Sequence, residues 1–166
     1  MQTKKLHIIG FIFVLFAGVL LHFTYKLSGQ NSFVAYFSAV NESVWEHLKL
    51  IFFPALIFSV CEYFVYGKHR ADFWAVKMTA ILSALCFIVA FFYTYSGVLG
   101  FTLVPVDILS FVIADFICFY LSWRLLNLPT GGDISDSIKG IAVLLLLLVC
   151  FVIWTNNPPD IGIFWG

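Results

Sequence analysis

Five stretches of the chain, at about 6–25, 44–66, 73–96, 102–124 and 137–155, are apolar almost without interruption. Each is near the ~20 residues that a helix needs to cross the hydrocarbon of a bilayer. In lipid a backbone amide finds no water, so a spanning segment must satisfy its own hydrogen bonds, and a helix does so within one segment. The pattern therefore predicts an all-α, polytopic membrane protein with about five transmembrane helices. Composition agrees. Some 62% of residues are hydrophobic and 11% charged, whereas a soluble domain is about half apolar and about a quarter charged. That leaves too little polar surface to cover a globule in water. A length of 166 residues suits a single transmembrane helical domain, 1–166. A formal net charge of zero supplies no field to attract nucleic acid, and the lipid bilayer is the expected partner. The run at 6–25 is too long for the apolar core of a signal peptide, and no A-x-A site follows it, so it reads as a span.

The segments between the runs set the topology. Residues 32–40, Ser-Phe-Val-Ala-Tyr-Phe-Ser-Ala-Val, are apolar but too short to span, and read as an interfacial or re-entrant segment. Five spans put the termini on opposite sides. Lys4, Lys5, Lys68, Arg70, Lys77, Arg124 and Lys139 then fall on one side, and Lys26 and Lys49 on the other. By the positive-inside rule the amino terminus is cytoplasmic and the carboxyl terminus extracytoplasmic, in a cell membrane.

Local signals refine the elements. Ser43-x-x-Glu46 fits a capping box at the start of the second span, with Asn41 as an alternative cap. Pro54 lies inside that span, where it is expected to kink the helix and free a carbonyl. Gly18 and His22, four residues apart, share a face on which a neighbouring helix can approach closely. Ser137 is the expected cap of the fifth span, after a loop from Asn127 to Asp136 that contains Pro129-Thr130-Gly131-Gly132. Phe164 and Trp165 in the tail suit the interface. Cys61, Cys86, Cys118 and Cys150 each lie in a different apolar run and read as small buried hydrophobes.

Function concentrates in Asn41-Glu42-Ser43-Val44-Trp45-Glu46-His47-Leu48-Lys49, a charge-dense stretch against an apolar run. Topology brings His22, Tyr93, Tyr95, Asp107, Asn156, Asn157 and Asp160 to the same outer face. Asp115 lies near the middle of its helix, where a lone carboxylate costs ~2.5–3.5 kcal/mol on insertion scales. It must be protonated, paired or facing water. The pattern predicts an outward polar pocket for a small molecule, ion or lipid headgroup, lined by His22, Glu42, Glu46, His47, Lys49, Asp107 and Asp115. Lys49 sits three residues beyond Glu46, where the two can pair. His22, Glu46, His47 and Asp107 are also the ligand types of a divalent metal such as zinc or manganese, although no HxxxH or HExxH spacing is present. A second reading is a metal-assisted intramembrane hydrolase of a lipid or lipid-linked substrate, with Glu46 and His47 as acid–base groups. A third is a structural or assembly protein whose charged layer anchors the second span. Transport by so few spans, without internal repeats, would call for a homo-oligomer or a partner membrane subunit. The inner face shows mostly loop cations. There Glu62 is expected to form a structural ion pair with Lys68 or Lys77, and His7 and His69 read as interfacial loop residues.

The stretch Val40-Asn41-Glu42-Ser43-Val44-Trp45-Glu46-His47-Leu48-Lys49 resembles the signature of a family of small bacterial integral membrane proteins of unknown function. His22-Phe23-x-Tyr25, Tyr93-Thr94-Tyr95-x-Gly97, Asp107-Ile108 and Pro158-Pro159 resemble further parts of it. The resemblance implies a five-helix membrane protein and brings no activity with it.

Overall fold

A computed structural model describes residues 2–129 and 132–166. Thr130 and Gly131 of the expected loop lie outside the described residues. Among these there are six α-helices and no strand. They are α1 (Gln2–Leu27), α2 (Ser32–Ala35), α3 (Val44–Val65), α4 (Phe73–Leu99), α5 (Val104–Leu126) and α6 (Ile134–Asn156). All but α2 are long and apolar enough to cross a membrane, so the five expected spans are all present. The fragment at 32–40 is the short α2 followed by a turn, which is too short to span. It is stitched to the end of α1 by Ser38, whose hydroxyl donates to the Leu21 carbonyl and accepts from the Tyr25 amide.

Several boundaries lie outside the expected ones, because polar residues extend the helices past the apolar runs. Helix α4 continues through Ser96-Gly97 and stops at Gly100, which adopts φ +77° as its C-terminal cap. Helix α6 begins at Ile134 rather than near Ser137. Asp133 is the cap, and it exchanges side-chain-to-backbone bonds with Asp136 in a full capping box. Ser137 instead lies within α6 and joins it to the start of α4. Its hydroxyl donates to the Ala71 carbonyl and accepts from the Trp74 amide. The expected box at Ser43 is only half formed. Ser43 Oγ accepts from the Glu46 amide, but the Glu46 side chain turns elsewhere, and the Ser43 amide is taken by Asn41 Oδ1.

Helix α3 is the central post. It packs against α1 and α4, and α4 and α1 in turn hold α5, while α6 lies on α4. Helix α3 continues through Pro54. The ring removes the hydrogen bond that the Leu50 carbonyl would accept. That carbonyl faces Gly18 of α1, where an added Cβ would lie 2.8 Å from it. The glycine thus lets α1 lie against the stretch of α3 whose backbone ladder is broken, as small residues do in membrane bundles. Gly140 does the same where α6 crosses the Trp74 backbone. At the carboxyl-terminal end Trp45 packs on Phe151, Trp154 and Phe164, with ring centroids 4.6–5.0 Å apart. Phe164 is therefore a buried core residue and not an interfacial anchor, while Trp165 is exposed. Cys118 is buried, but Cys61 and Cys86 lie on the outer surface of the bundle.

Gly18→Ala is expected to destabilise the protein by about 1–3 kcal/mol, the usual scale of overpacking. Gly97→Ala, which meets nothing within 4 Å, is expected to be neutral or slightly stabilising. Thermal unfolding in detergent reads both.

Candidate functional site

At the end that carries the carboxyl terminus, the predicted polar residues divide into separate arrangements. The first is a buried ion pair. Lys49 is fully buried and Glu46 nearly so. The Lys49 ammonium donates to Glu46 Oε2 at 2.7 Å, to the Ala35 carbonyl at 3.0 Å and to Thr155 Oγ1 at 2.6 Å. An ammonium has three protons, and all three are used. Glu46 Oε2 also accepts from the Val40 amide at 2.9 Å. This is why Glu46 does not close the capping box: the cation three residues on and the incoming chain hold its carboxylate. The pair ties α3 to the 32–40 segment and to the end of α6.

The second arrangement lies at the surface. His22 comes from the last turns of α1, His47 from the first turn of α3, and Glu42 from the segment leading into α3. One ligand atom from each falls within 4.8 Å of the others. His47 Nε2 is 3.5 Å from Glu42 Oε2, and the two imidazole centroids are 5.2 Å apart. His47 Nδ1 lies 2.8 Å from the Ser43 carbonyl. A carbonyl only accepts, so Nδ1 carries a proton, and Nε2 is the ring nitrogen that faces Glu42. A backbone carbonyl fixing the far nitrogen is the usual outer support of a metal-binding histidine. His22 Nδ1 is buried without a hydrogen-bond partner. Glu42 is exposed, and Lys26 Nζ approaches its other oxygen at 3.9 Å. Among the described residues, then, the two histidines expected as ligands come together with Glu42. Glu46 is engaged with Lys49. Asp107 sits apart from this group, and its carboxylate accepts from the Tyr95 hydroxyl. Asp115 is fully buried in the middle of α5, and neither of its oxygens has a hydrogen-bond partner.

The opposite end corrects the expectation of mere loop cations. Glu62, Lys77, His7 and Ser122 are all buried there. Lys77 Nζ donates to Glu62 Oε2 and, at 2.7 Å, to Ser122 Oγ. His7 Nε2 lies 3.1 Å from Ser122 Oγ and 3.6 Å from Glu62 Oε1. His7 is thus a member of a buried network drawn from four helices, not an interfacial loop residue. Lys77 is the partner of Glu62, one of the two cations expected. Tyr66, just past α3, donates to Glu62 Oε1 at 2.9 Å. Its burial, and then the Glu62 charge beside it, raise the Tyr66 pKa and keep the phenol protonated. The second turn of α1, which carries His7, gives no sign in sequence of facing inward; only the heptad-spaced Asp115 and Ser122 hint at a polar seam for it to meet.

Nearby, Arg70 forms a fork on Asp72, with Nε to Oδ1 at 2.6 Å, and also donates to the Leu125 and Leu126 carbonyls that end α5 and to the Leu128 carbonyl just beyond it. The guanidinium holds the Asp72 carboxyl below its ordinary range.

Five helices of bilayer length around interior ion pairs define a multi-pass helical membrane protein. The chain belongs to a family of unknown function, DUF6512, whose model matches residues 1–166. Comparison with curated proteins and with solved structures gave no match.

Two outcomes follow from these networks. Lys49→Met leaves Glu46 as an unpaired buried charge and is expected to cost ~3–5 kcal/mol; adding Glu46→Gln recovers much of that loss, as denaturant unfolding in micelles reads. Because the folded Asp72 pKa is depressed, its contribution is present above the unfolded value of about 3.9. It is lost as pH falls through the lower folded value. Asp72→Asn should remove that part of the acid-side slope in an unfolding series.

Proposed function

We propose that the chain is an integral membrane protein that binds a divalent transition-metal ion at its extracytoplasmic face through His22, Glu42 and His47. The observation that carries this reading is the oriented pair of imidazoles, with the His47 tautomer fixed by the Ser43 carbonyl and a buried, unpartnered nitrogen on His22. Ligand atoms of a tetrahedral zinc site stand about 3.3 Å apart, given bonds of about 2.0–2.1 Å. The His47–Glu42 separation of 3.5 Å is already of that size. Closing the group round an ion takes a side-chain movement of His22 and no change of fold. Two imidazoles and one carboxylate suit zinc or manganese better than calcium or magnesium. The extracytoplasmic placement follows from the lysine and arginine count across five spans.

Three protein ligands leave a fourth position for water or for an anionic group. Lys26, released from Glu42 when a metal takes that carboxylate, would be free to meet a phosphate there. The same open position supports a second reading, in which a metal-bound water hydrolyses a lipid-linked substrate. Metal binding alone does not require it. Glu46 and Lys49 have the role of holding the segment that presents Glu42, and not of contacting the ion.

The test is zinc and manganese titration, with elemental analysis by mass spectrometry, on detergent-purified protein that carries no polyhistidine tag. One ion per chain is expected. His47→Ala and His22→Ala should each weaken binding by at least about 100-fold, beyond the ~10–100-fold typical of an outer-shell change. Lys139→Ala, at the opposite end, should leave it unchanged. Affinity should fall as pH is lowered, since the imidazoles must be unprotonated to bind. Wild-type protein that takes up no stoichiometric ion would sink the proposal. Turnover of lipid esters or phosphates by the metal-loaded protein would add the hydrolytic reading.

A further inference from the structure

Residues 160–166, beyond α6, form a small folded unit. The Ile161 amide donates to the Pro159 carbonyl at 2.9 Å, the Phe164 amide to the Ile161 carbonyl at 3.0 Å and the Trp165 amide to the Gly162 carbonyl at 3.2 Å. Trp165 Nε1 closes the unit by donating to Asp160 Oδ1 at 3.1 Å. One side chain seats it on the bundle. Phe164 is buried and packs on Trp45 of α3 and Trp154 of α6, with ring centroids 5.0 and 5.6 Å away. A tail that served only to seal the end of the core would need nothing beyond that wedge.

Past the wedge, the tail reaches the backbone that carries a metal ligand. Gly166 lies so close to the Glu42–Ser43 peptide that an added Cβ would fall on the Ser43 amide nitrogen, 2.9 Å from the Glu42 carbonyl carbon and 3.0 Å from Ser43 Cα. Backbone atoms cannot swing aside as the end of a side chain can. This backbone is also held by its own bonds: the Ser43 amide donates to Asn41 Oδ1, and Ser43 Oγ accepts from the Glu46 amide. The Glu42 side chain is 63% exposed, so packing does not fix it. Its place 3.5 Å from His47 Nε2 therefore depends on where the Glu42 peptide is held.

We propose that Phe164 and Gly166 are positioning residues of the His22–Glu42–His47 site. Phe164 seats the tail on α3. Gly166, having no side chain, lets the tail brace the Glu42–Ser43 peptide and so hold the Glu42 carboxylate beside His47. Neither residue touches the ion. The inference rests on the metal reading and deepens it, because affinity for the ion then depends on docking of the tail. The dependence is reciprocal: an ion bound more tightly with the tail docked favours docking by the same factor.

The test is zinc titration against a competing chelator, on full-length, tag-free protein in detergent, beside thermal unfolding of the metal-free protein. Gly166→Ala and then Gly166→Val should weaken zinc binding progressively, reaching about 10-fold, the lower end of the effect of outer-shell changes. Both should unfold at nearly the wild-type temperature, because the Phe164 wedge is kept. Phe164→Ala should lower affinity and unfolding temperature together, so the Gly166 variants separate positioning from packing. Deuterium exchange read by mass spectrometry supplies a measure that needs no metal: the Glu42 and Ser43 amides should exchange faster in metal-free Gly166→Val than in wild type. Zinc should in turn slow exchange at Phe164 and Trp165 in wild type. Wild-type zinc binding that Gly166→Val leaves intact would overturn this inference alone, as would equal metal-free exchange at Glu42 and Ser43. Wild-type protein that binds no zinc would overturn the metal reading and this inference together.

Discussion

The cost of holding charge inside an apolar bundle organises this protein. Helix α3 carries three buried ionic residues, Glu46 and Lys49 near one end and Glu62 near the other. Every other helix reaches one of these groups or its partner. The Ala35 carbonyl of α2 and Thr155 of α6 complete Lys49. Lys77 of α4 pairs Glu62, Ser122 of α5 receives Lys77, and His7 of α1 meets both Ser122 and Glu62. Helices in lipid gain little from hiding apolar faces, because the solvent is itself apolar. Polar groups that must be satisfied inside the bundle therefore supply much of the specificity of packing. Close backbone approach at Gly18 and Gly140 supplies the rest.

This division separates groups that hold the structure from groups left over. Lys49 uses all of its donors, so it has nothing to offer a ligand. The His22–Glu42–His47 group is the reverse: it has an exposed carboxylate, a nitrogen without a partner and an imidazole oriented by a backbone carbonyl. Asp115 is a second remainder, buried where the first is open. The keystone pair of Glu46 and Lys49 positions the open group indirectly. It anchors Val40 and Ala35, and so fixes the path of the chain that delivers Glu42 beside His47.

The five spans were legible because bilayer-length apolar runs have few other folds open to them, and the short 32–40 segment was legible for the same reason of length. The candidate site was legible in part. Topology alone brings His22 and His47 to one face. The choice of Glu42 as the carboxylate beside them was harder to see, because Glu46 carries the same chemistry; its pairing with Lys49 can be read from the i,i+3 spacing, but the Val40 amide and the burial that withdraw it from the surface cannot. The cap of α6 shows the same limit. Asp133 and Ser137 are both competent caps, and the crossing of α4, which takes the Ser137 hydroxyl, decides between them. His7 was the largest miss. A histidine at the edge of an apolar run reads as interfacial unless one knows that Glu62, Lys77 and Ser122 from three other helices converge on it.

Metal coordination by His22, Glu42 and His47 is read directly by X-ray absorption at the zinc edge of metal-loaded, tag-free protein. The expected spectrum has a shell of nitrogen and oxygen at about 2.0–2.1 Å with the outer scattering of two imidazole rings, reduced to one ring in His22→Ala. A spectrum without imidazole scattering, or one unchanged in that variant, would rule out a site built on these two histidines.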